Sequence, residues 1–298
     1  MPKTAHTSAP EAATSLFTGS FRLRIQTAGA TIAGRVAGSG PPILLLHGHP
    51  QCHLMWHAVA RRLTDRFTVV AVDLRGYGDS SKPPGGPNHE AYSKRAMAKD
   101  GAVVMANLGF ERYFVAGHDR GGRVAYRMAL DYPEQVAKLA VLDIIPTGEA
   151  WRRADRVFML GFWHWAFLAQ PSPLPERLIG ADPDAYYFRG DTSFFDPAAL
   201  AEYRRHIQDP ETIRAMCDDY RAGAMIDFEI DEADRGKRRI ACPVLTLWGA
   251  RSDLGQSDVL AVWRDWADDV TGHALNCGHY LAEEAPDATA QALGGFFS

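Results

Sequence analysis

The stretch FVAGHDRGGRVAYRM, Phe114 to Met128, decides the fold. A short apolar run, Tyr113 to Ala116, reads as a buried strand, and the residues after Gly121 read as a helix. Between them lies a charged cluster set among glycines 117, 121 and 122. A purely structural turn there usually carries Asn, Ser or a lone Gly. Gly117-His118-Asp119-Arg120-Gly121 instead fits G-x-nucleophile-x-G at a strand–turn–helix junction, where glycines make room for a sharp, strained turn. A carboxylate in that position needs no base to activate it. It can displace a leaving group at an sp3 carbon and form an ester.

Working outward, the pattern on both sides is that of a parallel sheet. Leu23–Gly38 alternates around a glycine, as a hairpin does. ILLL after Pro42, the run starting at Phe67 and KLAVLDI (Lys138–Ile144) are continuous apolar runs, typical of strands covered on both faces. Helical spacing separates them: Leu54, Trp56, Val59 and Leu63 in one case, roughly Tyr92 to Leu108 in another. This predicts an α/β fold, a mostly parallel doubly wound sheet with right-handed crossovers. From Pro146 to Gly236 the sequence is helical, aromatic and proline-interrupted, and strands resume at Cys242–Ala250 and near His273–His279. The expectation is a core of residues 18–145 and 237–298, a helical cap over 146–236, and a flexible lead over 1–17. A cap in that place covers the carboxyl ends of the strands, where open α/β sheets bind ligands.

Composition excludes more than it specifies. The net charge of -4 gives no electrostatic reason to expect nucleic acid or an anionic membrane. The N-terminus lacks an apolar signal core, and no run approaches the ~18 apolar residues that a span requires, so a soluble cytoplasmic protein is expected. Cys52, Cys217, Cys242 and Cys277 are scattered without metal-ligand spacing and read as reduced structural thiols. No metal and no organic cofactor are expected. KPPGGPN lacks the lysine of a phosphate-binding loop. The loop with Asp73 and Arg75 reads as structural, as do Trp248, Trp263 and Trp266, and His47 as a backbone anchor.

HGHP, DLRGYGDS, GHDRGG and GHY occur in the order of the α/β-hydrolase fold, and this similarity covers nearly everything after residue 20. Asp in the elbow narrows it to the dehalogenase and epoxide-hydrolase branch. Together HDRGGRV, HWAFLAQPSPLPE and CDDYRAGA resemble the haloacetate dehalogenases, which include fluoroacetate dehalogenase. The resemblance implies Asp119 as nucleophile and His279 as the base that activates water on the ester. Two carboxylates compete to hold the imidazole, Asp143 after KLAVL and Asp253 in WGARSD. Haloacetate dehalogenases resemble the first arrangement and epoxide hydrolases the second, so Asp143 is favoured. Backbone N–H groups of Arg120 and His49 would form the oxyanion hole. An aromatic residue often stands in such relatives where His49 does here.

Arg120 and Arg123 are three apart at a helix start, and two guanidiniums beside one Asp call for a second anion. The resemblance makes that anion the carboxylate of a small haloacid substrate. The structural alternative, salt bridges to acids such as Glu149, fits Arg123 better than Arg120. His164, Trp165 and Tyr220 match the family's halide pocket. Each also has a plainer role: Trp165 and Tyr220 in packing, His164 as a helix-surface residue with Trp163 and Phe167 buried. The leading expectation is hydrolytic dehalogenation of small 2-haloacids by a homodimer, the dimer by family analogy. An epoxide hydrolase using Tyr186, Tyr187, Tyr203 or Tyr220 is the same-fold alternative. A catalytically silent protein that binds a small carboxylate is the third.

Overall fold

The computed structural model describes residues 16–255 and 257–298. Its centre is one eight-stranded sheet in the order β1-β2-β4-β3-β5-β6-β7-β8. The strands are β1 (Phe21–Gln26), β2 (Thr31–Ala37), β3 (Pro42–Leu46), β4 (Thr68–Val72), β5 (Tyr113–His118), β6 (Val136–Leu142), β7 (Val244–Gly249) and β8 (Val270–Leu275). β1 and β2 form the expected antiparallel hairpin, and β2 pairs antiparallel with β4. The remaining neighbours are parallel. Apolar runs fall on the central strands because both faces there are covered; Ile43, Leu44, Leu45, Val70, Val115, Leu139 and Val141 are fully buried.

Register places the chemistry. Gly117 lies opposite Leu46 of β3, and His118 lies opposite Leu142 of β6. The chain therefore leaves the sheet at three neighbouring points on its carboxyl edge, after Leu46, His118 and Leu142. The helix Asp119–Asp131 begins without an intervening loop residue. That abrupt reversal explains the glycines: a Cβ on Gly117 would run into the Gly121 carbonyl, and one on Gly121 into the carbonyls of Leu46 and His47. Asp119 itself has φ +47° and Asp143 has φ +53°, left-handed conformations that side chains other than Gly rarely adopt.

Between β6 and β7 the described chain contains eight helices and no strand. Their starts carry a signal hidden in the proline-interrupted pattern. Asp182-Pro183, Asp196-Pro197 and Asp209-Pro210 each place an aspartate at the N-cap, its side chain accepting a backbone N–H, with proline in the first turn. Proline here begins helices and does not break them. Of the lead expected over 1–17, residues 1–15 lie outside the described residues, but its end needs correction. Phe17 is buried, its ring 5.7 Å from that of His53 and 6.0 Å from the Arg35 guanidinium of β2. Among the described residues no helix is long and apolar enough to cross a membrane.

Candidate active site

The direct turn from β5 into its helix and the loops after β6 and β8 bring Asp119, Asp143 and His279 together. His279 Nδ1 lies 2.6 Å from Asp143 Oδ2, and His279 Nε2 lies 3.9 Å from Asp119 Oδ2. Asp143 Oδ1 accepts from the Gly249 N–H at 2.9 Å and the Ser252 hydroxyl at 2.7 Å. One carboxylate oxygen thus serves the imidazole while the other is pinned by β7 and the loop after it. Asp253, the rival, lines the same cavity, but Asp143 makes the hydrogen bond. The His49 N–H donates to Asp119 Oδ1 at 2.9 Å. This close approach needs Gly48, where a Cβ would stand 2.6 Å from Asp119 Cβ. His118 adds a support that the sequence did not suggest. Its Nε2 lies 2.7 Å from the His279 carbonyl, and its ring centre is 4.6 Å from that of His279.

Electrostatics keep Asp119 ionised. Burial opposes the charge on Asp119, but the charges of His279, Arg120 and Arg123 outweigh it and hold the carboxyl well below its usual range. Burial also disfavours a charged His279; the hydrogen bond and charge of Asp143, then the charge of Asp119, reverse this and raise it to about 9. Burial lowers His49 to about 3 and His164 to about 4, and burial with His279 alongside lowers His118 to about 4. These three are neutral at pH 7.

The two arginines are placed opposite to the structural alternative read from the sequence. Arg120, expected to be the freer, is held by Asp219: Nε to Oδ2 at 2.8 Å, Nη2 to Oδ1 at 2.8 Å and Nη2 to the Asp219 carbonyl at 2.7 Å. Arg123 makes no ion pair within 4.0 Å among the described residues. Its Nη1 donates to the Ile145 carbonyl at 3.0 Å, and its guanidinium lies 4.5 Å from the Trp165 ring centre. Glu149, the suggested partner, is engaged by Arg235 and Arg153, which leaves the Arg123 charge facing the cavity.

His164, Trp165 and Tyr220 line that cavity with Asp119, Arg123 and His279; its volume is about 800 Å³. Trp165 and Tyr220 are buried and His164 half-buried, so the imidazole is not simply on a helix surface. Tyr220 touches both neighbouring imidazoles, 5.1 Å from His49 and 5.8 Å from His164 between ring centres. The side-chain polar atoms of His164, Trp165 and Tyr220 make no hydrogen bond within the described residues and line the cavity. Open N–H and O–H donors grouped opposite a carboxylate nucleophile can receive a departing anion.

The fold also gathers Cys52, His53 and Asp73 within 4.8 Å, a grouping that sequence spacing did not reveal. Asp73 already accepts from the His53 N–H at 2.7 Å, the His53 ring at 2.8 Å and the Asp79 N–H at 2.9 Å. Burial holds the Cys52 thiol protonated. The group clasps the loop after β4, as that loop's sequence suggested. His47 does the same nearby, accepting from the Leu74 N–H at 3.0 Å.

A nucleophile elbow after β5, an acid after β6 and a histidine after β8 define a hydrolase of the doubly wound α/β type. The alpha/beta hydrolase fold family matches residues 41–286, and the chain belongs to it. Among characterised relatives it is 46% identical to a fluoroacetate dehalogenase of Burkholderia sp, over 95% of both chains. It is 34% identical to a soluble epoxide hydrolase of Corynebacterium sp. (strain C12), over 88% of this chain and 92% of that one. A solved α/β hydrolase from Nostoc sp PCC 7120 superposes with a TM-score of 0.93 at 52% identity, covering 95% of this chain and 99% of the other.

The titrating groups also predict how stability depends on pH. The lowered histidines 49, 118 and 164 contribute stability that is fully present above their ordinary 6.5 and lost as pH falls toward 3 to 4. His279 has the opposite sign: its contribution is complete below 6.5 and is lost as pH rises through about 9. Glu283, raised by burial from 4.5 to about 8, also loses stability as pH rises across that interval. The melting temperature should therefore peak near pH 6.5 and fall on both sides. A plateau extending to pH 9 would contradict these assignments.

Proposed function

We propose that the protein hydrolyses the carbon–halogen bond of small 2-haloacids, haloacetates being the type substrates. The observation that carries this reading is an ionised Asp in the elbow beside Arg123, a buried cation with no carboxylate of its own. A haloacid supplies that carboxylate and presents its α-carbon to Asp119. Asp119 Oδ2 is the attacking atom, since Oδ1 already accepts the His49 N–H. Its lone pair forms the C–O bond as the C–X pair leaves with the halide, toward His164, Trp165 and Tyr220.

His279, oriented by Asp143, then takes a proton from water, and the hydroxide adds to the ester carbonyl carbon. The oxyanion forms at Oδ1, held by the His49 N–H and by the Arg120 N–H at the start of the helix. Collapse returns Asp119 and releases the 2-hydroxyacid. The net change consumes one water and yields hydroxyacid, halide and a proton. Esterification also removes the Asp119 charge that helps raise His279, so the imidazole becomes a readier base when it is needed.

Epoxide opening is the second reading, and one observation favours it: Tyr186 and Tyr187 border the same cavity with hydroxyls that have no partner. A neutral epoxide, however, gives Arg123 nothing to bind. Arg123→Gln separates the two. Losing a charge-assisted contact worth roughly 1.5–3 kcal/mol should raise KM for chloroacetate about 10- to 100-fold. Turnover of a neutral epoxide would be unaffected. Halide release by the parent protein, followed with an ion-selective electrode, tests the reading itself; absence of release from every haloacid tried would refute it.

A further inference from the structure

Arg120 is locked from behind by groups that the reaction scheme does not use. Asp219 is fully buried and accepts two side-chain N–H bonds from Arg120 at 2.8 Å each. The Tyr77 hydroxyl donates to Asp219 Oδ2 at 2.7 Å, and the Lys94 ammonium is paired with Oδ1. Lys94 also lies 3.5 Å from Asp227 Oδ2. Arg120, Asp219, Lys94 and Asp227 thus form a buried row of alternating charge whose formal sum is zero. The face of the Arg120 guanidinium rests 4.2 Å from the Tyr220 ring centre. Nε and Nη2 are spent on Asp219, while Nη1 has no hydrogen-bond partner among the described residues.

We infer that Asp219 is the positioning residue of the substrate-carboxylate clamp, an inference that rests on the haloacid reading above. Its grip occupies Nε and Nη2 and leaves Nη1 as the one guanidinium nitrogen of Arg120 without a hydrogen-bond partner among the described residues. Its charge cancels that of Arg120, leaving Arg123 as the uncompensated cation of the site. The two arginines therefore divide the work: Arg123 supplies attraction, and Arg120 supplies direction. A salt bridge built only for stability would not need a guanidinium at the first residue after the nucleophile. Tyr220, pressed against the same guanidinium, couples the clamp to the donors that receive the halide.

This division predicts an unusual pair of changes in Asp219→Asn. The amide keeps the shape but removes the negative charge and one acceptor for the Arg120 fork. Arg120 then gains freedom while its charge is no longer cancelled. A non-reacting carboxylate, acetate measured by calorimetry, should bind at least about threefold more tightly, as expected when a positive charge near an anion is unmasked. kcat for chloroacetate should fall about tenfold or more, because positioning is lost. Asp219→Asn/Lys94→Met removes one charge of each sign, so the buried sum stays zero and folding is protected if the single variant fails. In that variant acetate affinity should return toward the parent value while kcat stays low. A folded variant, checked by circular dichroism, with parental kcat and parental acetate affinity would overturn the inference, as would recovery of kcat in the double variant. Should the parent bind acetate yet release no halide from any haloacid, the proposed reaction fails, and the acetate affinities alone still decide the role of Asp219.

Discussion

Asp119→Asn will reduce halide release from chloroacetate and fluoroacetate by at least about a thousandfold, the scale on which removal of a covalent nucleophile acts. The substitution is nearly isosteric, and Asn tolerates the left-handed backbone required at φ +47°. The elbow, the His49 contact and the melting temperature should therefore survive, so that the loss reports chemistry and not unfolding. The amide nitrogen or neutral carbonyl oxygen that replaces the carboxylate is a poor nucleophile toward sp3 carbon. Substrate binding should be retained, because Arg123 is untouched. Residual release above a few per cent of the parent rate would mean that water attacks carbon directly and that the ester scheme is wrong.

His279→Gln should separate the two halves of the reaction. Displacement needs only Asp119, the arginines and the halide donors, so the variant should still release about one equivalent of halide. Hydrolysis needs a base, and its removal slows such a step by ~10²- to 10⁴-fold. The expected record is a stoichiometric burst followed by a nearly flat line, with an ester adduct on the peptide containing Asp119 in the mass spectrum. Steady release without a burst would place the histidine outside the hydrolytic step. Absence of any burst would make it necessary for displacement as well. Asp143→Asn should behave in the same direction, because the Asp143 contribution to the raised His279 value would vanish.

What the sequence disclosed and what it hid follow from distance along the chain. The elbow was legible because its geometry is local: the strand, the glycines and the helix lie within fifteen residues. The hairpin was legible for the same reason, from alternation on either side of a glycine. His279 was placed by its position after the last strand, a matter of order and not of contact. The choice between Asp143 and Asp253 could not be made locally, since both follow strands, and only the fold shows which one reaches Nδ1. The pairing of Arg120 with Asp219 joins residues 99 positions apart, so no pattern near the elbow could announce it. The sequence suggested the reverse, because an arginine directly after a nucleophile looks committed to substrate. His118 was likewise read only as part of the elbow, since its contact with the His279 carbonyl spans 161 positions. The Asp-Pro pairs of the helical segment were visible as residues but not as caps, until the helices they begin were seen.

The covalent ester is the central claim, and a single turnover in ¹⁸O-labelled water tests it most directly. With protein in excess over chloroacetate, the hydroxyl oxygen of the first glycolate should come from Asp119 and carry no label, while the peptide containing Asp119 gains one ¹⁸O. Label in the glycolate hydroxyl and none in that peptide would show that water, and not Asp119, attacks the carbon.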